Sequence, residues 1–68
     1  MTTIKLSIAI QSHLSDALIE MDFNQELAEK RIRFVKTLIN LYPDTSIDIS
    51  EGELNKIYRE RILGLVEK

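Results

Sequence analysis

The sequence lacks cysteine and contains one histidine, one proline and two glycines. Without cysteine the chain can form neither a disulfide nor a thiolate metal site, and a single histidine would leave a zinc ion dependent on carboxylates. No glycine-rich loop is present to bind a phosphate group. We therefore expect a protein that holds neither a metal nor a cofactor and that is not an enzyme.

No apolar run approaches the roughly 20 residues that a membrane-spanning helix needs. The N-terminus also lacks the basic region and cleavage site of a secretory signal peptide. A hydrophobic content of 44% and a charged content of 29% are ordinary for a soluble globular protein. We expect a cytoplasmic protein that does not contact a membrane.

The length of 68 residues predicts one small domain. A chain of this size buries only about 60% of its unfolded surface, and no disulfide can add stability. Self-association is therefore the most natural way to complete the core. The net charge of −2 disfavours nucleic-acid binding through bulk charge.

The first ten residues alternate between apolar and other side chains, which is rare in the rest of the chain. One face carries the apolar members Ile4, Leu6, Ile8 and Ile10. A side-chain period of two predicts one half-buried β-strand. Unpaired strand N–H and C=O groups are costly to bury, so this strand needs a partner.

Apolar residues at three- and four-residue spacing predict helices in the rest of the chain. The predicted helices cover about residues 12–21, 25–41 and 51–67. Ser12 and Asn24 are candidate N-caps of the first two, and Ser50 begins a capping box for the third. Pro43 ends the second helix, because the residue before proline is disfavoured in the α region.

One histidine and one basic cluster are the candidate chemical groups. His13 has no second ligand or nucleophile to act with, so we interpret it as exposed or partly packed. The basic cluster comprises Lys30, Arg31, Arg33 and Lys36. We interpret it as a solvated helix face, because Glu26 and Glu29 each lie four residues before one of these cations.

The strand has two physically reasonable partners. It can pair with its own copy in a second chain, forming a two-stranded antiparallel ribbon over helices from both chains. It can instead pair within the chain with residues around 45–49, with the helical region crossing between the two strands.

Residues 3–42 resemble ribbon–helix–helix proteins of the CopG/Arc/MetJ type. The likeness lies in a basic residue followed by alternating aliphatic and Ser/Thr positions, here Lys5-Leu6-Ser7-Ile8, and then a short helix, a turn and a longer helix. The resemblance implies an obligate intertwined dimer that places its ribbon in the major groove of double-stranded DNA, whose base edges carry a distinguishable code.

The resemblance also implies particular roles for residues of this chain. Thr3, Lys5 and Ser7 match the outward ribbon positions, while Asn24 and Gln25 match the helix N-terminus that family members set against a phosphate. The expected dimer core comprises Ile4, Leu6, Ile8, Ile10, Leu18, Val35 and Leu38.

A second resemblance supports pairing within the chain. Residues 38–49, with Tyr42-Pro43-Asp44 at their centre, look like the helix–(Phe/Tyr)-Pro-Asp–strand passage of DinI-like proteins, which modulate a recombinase filament. That resemblance implies a small βαβα monomer of the α+β class that acts by protein contact and does not bind DNA.

The leading expectation is a mainly α fold with one N-terminal β-strand, assembled as a ribbon–helix–helix-like homodimer. Residues 1–43 would form the ribbon–helix–helix-like segment. Residues 44–68 would form a linker and an added helix of the same domain that either extends the dimer or binds a protein partner. The expected function is that of a small DNA-binding regulator: a repressor, a plasmid or phage accessory factor, or an antitoxin. A protein-interaction modulator is the alternative.

Overall fold

A computed structural model describes residues 2–65 and is mainly helical, with a short two-stranded antiparallel sheet. In chain order the elements are β1 (Thr3–Lys5), α1 (Leu6–Glu20), α2 (Gln25–Leu41), β2 (Asp48–Ser50), α3 (Glu51–Ile57) and a π-helical turn (Tyr58–Ile62). The predicted mainly α class is therefore confirmed.

The N-terminal alternation continues into a helix. Since α1 begins at Leu6, the prediction of a strand as far as Ile10 is wrong, and so is the helix start predicted at Ser12. Leu6 and Ile10 are four residues apart, so they also share one face of a helix, and both are buried in the core. A short apolar alternation fits both structures, and tertiary packing decides between them.

The start of α1 is held by the loop that precedes β2. The backbone N–H groups of Leu6 and Ser7 donate to the carbonyl oxygens of Ile47 and Thr45, each at 2.9 Å. The first N–H groups of a helix have no partner inside the helix, and these two bonds satisfy a pair of them without an N-cap side chain. No side-chain cap is present at Lys5.

The two strands pair within one chain. The register sets Thr3 opposite Ser50, Ile4 opposite Ile49 and Lys5 opposite Asp48. This is the predicted pairing within the chain, and it gives β1 a partner without a second copy of the protein.

A single hydrophobic core contains residues from both predicted segments, 1–43 and 44–68. Its buried members are Leu6, Ala9, Ile10, Phe34, Val35, Leu38, Ile49, Leu54, Ile57 and Ile62. The largest fully buried side chains are Phe34, Leu6 and Leu38. Residues after Pro43 thus complete a core that the α1–α2 hairpin begins.

The seven residues predicted to form a dimer core differ in how far they are buried within a single chain. Leu6, Ile10, Val35 and Leu38 are buried within the chain itself, and Ile4 is partly buried. Ile8 is 53% exposed and Leu18 is 69% exposed. Four of the seven positions are thus already covered by the chain that carries them.

Both predicted caps of the later helices are confirmed. The Asn24 side chain accepts a hydrogen bond from the N–H of Leu27 at 3.1 Å. The Ser50 hydroxyl accepts one from the N–H of Glu53, also at 3.1 Å. Each cap satisfies one donor at a helix N-terminus and fixes where that helix begins.

The third helix is shorter and less regular than predicted. α3 ends at Ile57 and continues as a π-helical turn, in which the N–H of Leu63 donates to the carbonyl of Tyr58 at 3.1 Å. Gly64 follows with a φ of 71°, a left-handed conformation that glycine adopts readily. The predicted helix end at residues 66–67 lies outside the described residues.

Candidate functional site

The predicted ribbon residues are only partly brought together. Thr3 and Lys5 lie exposed on the same face of β1. Lys5 faces Asp48 across the sheet, so an acidic residue stands directly opposite the only cation of the strand. Lys5 and Asp48 together have no net charge, so this pair does not attract a DNA phosphate.

The other predicted DNA contacts lie elsewhere. Ser7 is in the first turn of α1 and is half-buried, so it does not share the strand face of Thr3 and Lys5. Asn24 and Gln25 are exposed at the start of α2, beyond the far end of α1. α1 has 15 residues, and a helix of that length separates its two ends by about 22 Å. One chain therefore does not assemble these five residues into a single site.

A cleft of about 520 Å³ lies where α1, α2 and α3 meet. We call it the mixed cleft, because its lining combines apolar and polar side chains. The lining residues are Ile4, Ala9, Ser12, His13, Arg31, Phe34, Glu51, Leu54, Asn55 and Tyr58. Ser12, Glu51 and Asn55 are exposed at the rim, whereas Ala9, Phe34 and Leu54 are buried.

Aromatic rings form the floor of the mixed cleft. The rings of His13 and Phe34 pack edge to face with centroids 4.9 Å apart. Phe34 packs in the same manner against Tyr58, at 5.2 Å. Edge-to-face packing is a preferred aromatic geometry, and it ties α1, α2 and the π-helical turn together around Phe34.

Arg31 is the centre of a polar network at one side of the cleft. Its guanidinium forms an ion pair with Glu20 through Nε, and its Nη1 lies 3.8 Å from an Asp16 carboxylate oxygen. The Glu20 side chain is only 9% exposed and Arg31 is 25% exposed. Among residues 2–65, no buried side-chain N or O atom lacks a hydrogen-bond partner. The cluster is thus internally satisfied.

The surroundings of His13 favour the neutral form of its ring. Burial lowers the pKa of His13 and the positive charge of Arg31 lowers it further, against the opposite effect of Asp16 and Glu20. The Nη1 of Arg31 lies 3.0 Å from Nδ1 of His13. Because arginine can only donate, Nδ1 accepts this bond and the ring proton resides on Nε2.

The lining of the mixed cleft carries one cation, Arg31, and one anion, Glu51. Arg31 is already paired with Asp16 and Glu20, which do not line the cleft. Glu51 lies at the rim and forms no ion pair within residues 2–65. The cleft therefore favours a ligand that carries hydrogen-bond donors or a positive charge.

The mixed cleft has no counterpart among the sequence-based predictions. The prediction that Arg31 belongs to a solvated basic face is wrong, because its side chain is 25% exposed and pairs with Glu20 and Asp16. The available signal was spacing: Arg31 lies three residues from Ala28 and three from Phe34, and both are buried. The interpretation of His13 as exposed or partly packed is confirmed, since it is half-buried against Phe34.

A second concave surface lies beside α1 and α2. It is a groove of about 190 Å³ lined by apolar side chains, and we call it the apolar groove. Its lining residues are Leu14, Ala17, Leu18, Met21 and Ile32. At 69%, Leu18 is more exposed than an ordinary core-facing leucine, and Leu14 and Met21 are exposed as well.

No family model, curated protein or solved structure matches this chain. None of the helices described over residues 2–65 combines the length and the apolarity needed to cross a membrane. The same residues hold no group of three or more His, Cys, Asp or Glu side chains arranged to bind a metal ion. The shape and chemistry of the described surface are therefore the basis for assigning a function.

Proposed function

We propose that this chain is a non-catalytic protein-interaction module that binds a basic side chain of a partner polypeptide in the mixed cleft. The observation that carries the proposal is the aromatic floor around Phe34 beneath a polar rim at which Glu51 has no ion-pair partner within residues 2–65. An apolar floor with a few convergent polar groups is the common arrangement of a binding site.

The size and shape of the cleft favour a polypeptide ligand. A volume of about 520 Å³ lies within the range of roughly 300–1,000 Å³ that is typical of ligand sites. The cleft is open to solvent at Ser12, Glu51 and Asn55. An open cleft accepts a side chain that enters from a partner's surface more readily than it encloses a free small molecule.

The chemistry of the lining selects the kind of side chain. Leu54 and Ala9 can pack against the aliphatic part of a ligand side chain. The Glu51 carboxylate at the rim can accept a hydrogen bond from the charged end of the same side chain. Lysine and arginine have this combination of an apolar stem and a cationic head. The Arg31 charge does not oppose such a ligand, because Asp16 and Glu20 already pair with it.

The test compares blocked amino acids as probes. N-acetyl-argininamide is expected to shift the backbone amide NMR signals of cleft residues such as His13, Leu54 and Tyr58. The acidic probe N-acetyl-glutamate amide is expected to shift them far less. Equal shifts with both probes, or shifts located outside the cleft, would contradict the proposal.

A matched pair of serine variants on α1 provides the control. Ser12 lines the cleft and Ser15 does not, and both are exposed. Ser12→Trp is expected to fill the cleft and remove the response to the arginine probe, whereas Ser15→Trp is expected to leave it unchanged. Persistence of the response in Ser12→Trp would place the binding elsewhere.

A second candidate is a small dimeric DNA-binding regulator, such as a repressor, an accessory factor or an antitoxin. Its support is that Thr3 and Lys5 share the exposed face of a two-stranded antiparallel sheet, an element that fits the major groove. Asp48 opposite Lys5, and the distance to Asn24, make this the weaker candidate.

Duplex DNA of mixed sequence, measured at one low and one moderate salt concentration, tests the second candidate. A DNA-binding protein loses affinity steeply as salt rises, because bound phosphates release counterions. Lys5→Ala is expected to remove sequence preference while the fold is retained. Absence of binding at low salt removes this candidate and leaves the cleft proposal to its own test.

A further inference from the structure

The apolar groove presents a continuous hydrophobic stripe to solvent. Leu14 and Leu18 of α1 and Met21, the residue that caps its C-terminus, lie at i, i+4 and i+7, and Ile32 of α2 completes the stripe. Leu14, Leu18 and Met21 are 41%, 69% and 50% exposed, and a cluster of exposed apolar side chains is a candidate contact site for another protein.

The chain's own later elements pack on the other side of α1. His13 and Ser12 line the mixed cleft together with Leu54 and Tyr58, which come from α3 and the π-helical turn. None of the residues that line the apolar groove comes from beyond α2. Within residues 2–65, the groove is thus left uncovered by the C-terminal part of the chain.

Two residues of opposite charge, Glu29 and Lys36, lie on the same side of α2 as Ile32. At 100° per residue, Glu29 and Lys36 lie within about 60° of Ile32 around the helix. Both are exposed, and neither forms an ion pair within residues 2–65. The i,i+4 pair expected between Glu29 and Arg33 is not formed, although the pair between Glu26 and Lys30 is, at 3.6 Å.

The spacing of these charges fits a two-fold axis. Glu29 and Lys36 are two helical turns apart, about 10 Å along α2, and Ile32 lies near the midpoint between them. A two-fold axis that crosses α2 there would set Glu29 opposite the partner's Lys36, and Lys36 opposite the partner's Glu29. A symmetric interface is self-complementary, so each favourable pair occurs twice.

We propose that the apolar groove is the interface of a homodimer in which α1 and α2 pack against the same helices of a second copy. Leu14, Leu18 and Met21 would supply the apolar centre, and the paired charges would set the register. The ribbon–helix–helix resemblance implies a dimer joined by its strands, whereas this dimer is joined by its helices. The proposal does not depend on a ligand in the mixed cleft.

Sedimentation equilibrium of the full chain, at micromolar to submillimolar concentration, tests the interface. Leu18→Glu places a charge in the groove and is expected to give a monomer. Ile8→Glu is the matched control, since Ile8 is also an exposed residue of α1 but does not line the groove. Circular dichroism of each variant checks that the fold is intact.

A charge exchange tests the two-fold arrangement. Glu29→Lys alone, or Lys36→Glu alone, replaces two attractions with two repulsions and is expected to raise the dimer dissociation constant about tenfold. The double variant with both substitutions restores opposite charges and is expected to return the constant close to its original value. High salt is expected to reduce all these differences.

Three results would overturn the proposal. The first is a wild-type chain that remains monomeric at submillimolar concentration. The second is a Leu18→Glu variant that dimerises as well as Ile8→Glu does. The third is a double charge variant no tighter than its single parents, because the register that places Glu29 opposite the partner's Lys36 would then be absent.

Discussion

The two sides of α1 differ in what packs against them. On one side His13 and Ser12 face the mixed cleft, where α3 and the π-helical turn supply partners and Arg31 is satisfied by carboxylates. On the other side Leu14 and Leu18 face the apolar groove, and within residues 2–65 nothing beyond α2 lines that groove. Among residues 2–65, one side of α1 is therefore packed against later elements of the chain and the other side is not.

This contrast separates what stabilises the chain from what the chain offers to others. The cleft side owes its order to contacts within the chain, so substitutions there should change the free energy of unfolding. The groove side has few such contacts, so substitutions there should change association and leave the isolated chain almost unaffected.

The largest expected effect comes from truncating the cleft floor. Phe34 is 1% exposed and contacts both His13 and Tyr58. Phe34→Ala is expected to reduce the free energy of unfolding by about 3–5 kcal/mol, because it leaves a cavity in the core. Urea denaturation at low micromolar protein concentration measures this loss. The urea concentration at the transition midpoint is expected to fall, while the dependence of the unfolding free energy on urea stays similar.

Leu18→Ala is the matched change on the groove side. At a concentration where the wild-type chain is monomeric, it is expected to change the unfolding free energy by no more than about 0.5 kcal/mol. A loss comparable to that of Phe34→Ala would mean that both sides of α1 belong to one core, and the comparison between them would fail.

A smaller effect is expected from the charged network. Arg31→Met leaves the Glu20 carboxylate nearly buried and without its partner. The expected loss of unfolding free energy is about 1–3 kcal/mol, the cost of an unsatisfied buried polar group. Arg33→Met changes a neighbouring exposed arginine and should cost less than about 0.5 kcal/mol.

A double variant shows whether the cost comes from the orphaned carboxylate. Adding Glu20→Met to Arg31→Met removes both charges, and replacing a whole buried ion pair with apolar side chains is often neutral. We expect the double variant to unfold at a higher urea concentration than Arg31→Met alone. A double variant less stable than the single one would show that the two residues act separately.

Helix caps and helix stops were predictable because each depends on local chemistry. Asn24, Ser50 and Pro43 act within a few residues of where they stand, and the bounds of α2 follow from two of them. The start of α1 was not predictable in this way. Its N-terminal donors are satisfied by Ile47 and Thr45, some 40 residues away in the sequence.

The mixed cleft was not predictable either, because its residues are far apart in the sequence. Its floor joins His13, Phe34 and Tyr58, which no local pattern connects. Arg31 was assigned to the surface because its neighbours are charged, although its spacing from Ala28 and Phe34 sets it on the buried face of α2. A cation on a core-facing position is the kind of local conflict that marks a functional or buried polar site.

The smallest expected effect is a pH dependence of stability through His13. Its pKa is lowered in the folded chain, first by burial and then by Arg31, so the unfolded chain binds the proton more readily. The stability associated with neutral His13 is therefore fully present above the ordinary pKa of about 6.5 and is lost as the pH falls through the lowered value. Protonation would also remove the acceptor that Arg31 uses at Nδ1.

Urea denaturation at about pH 7.5, 6.5 and 5.5 measures this dependence. One proton changes the unfolding free energy by at most about 1.4 kcal/mol per pH unit, and His13 is only half-buried, so we expect a smaller slope. His13→Gln keeps an acceptor for Arg31 but cannot titrate. Because the charged groups around the ring, Arg31, Asp16 and Glu20, are the same in both proteins, the difference between the two curves isolates His13. Identical curves for wild type and His13→Gln would show that the cleft side of α1 is not sensitive to the charge of this ring.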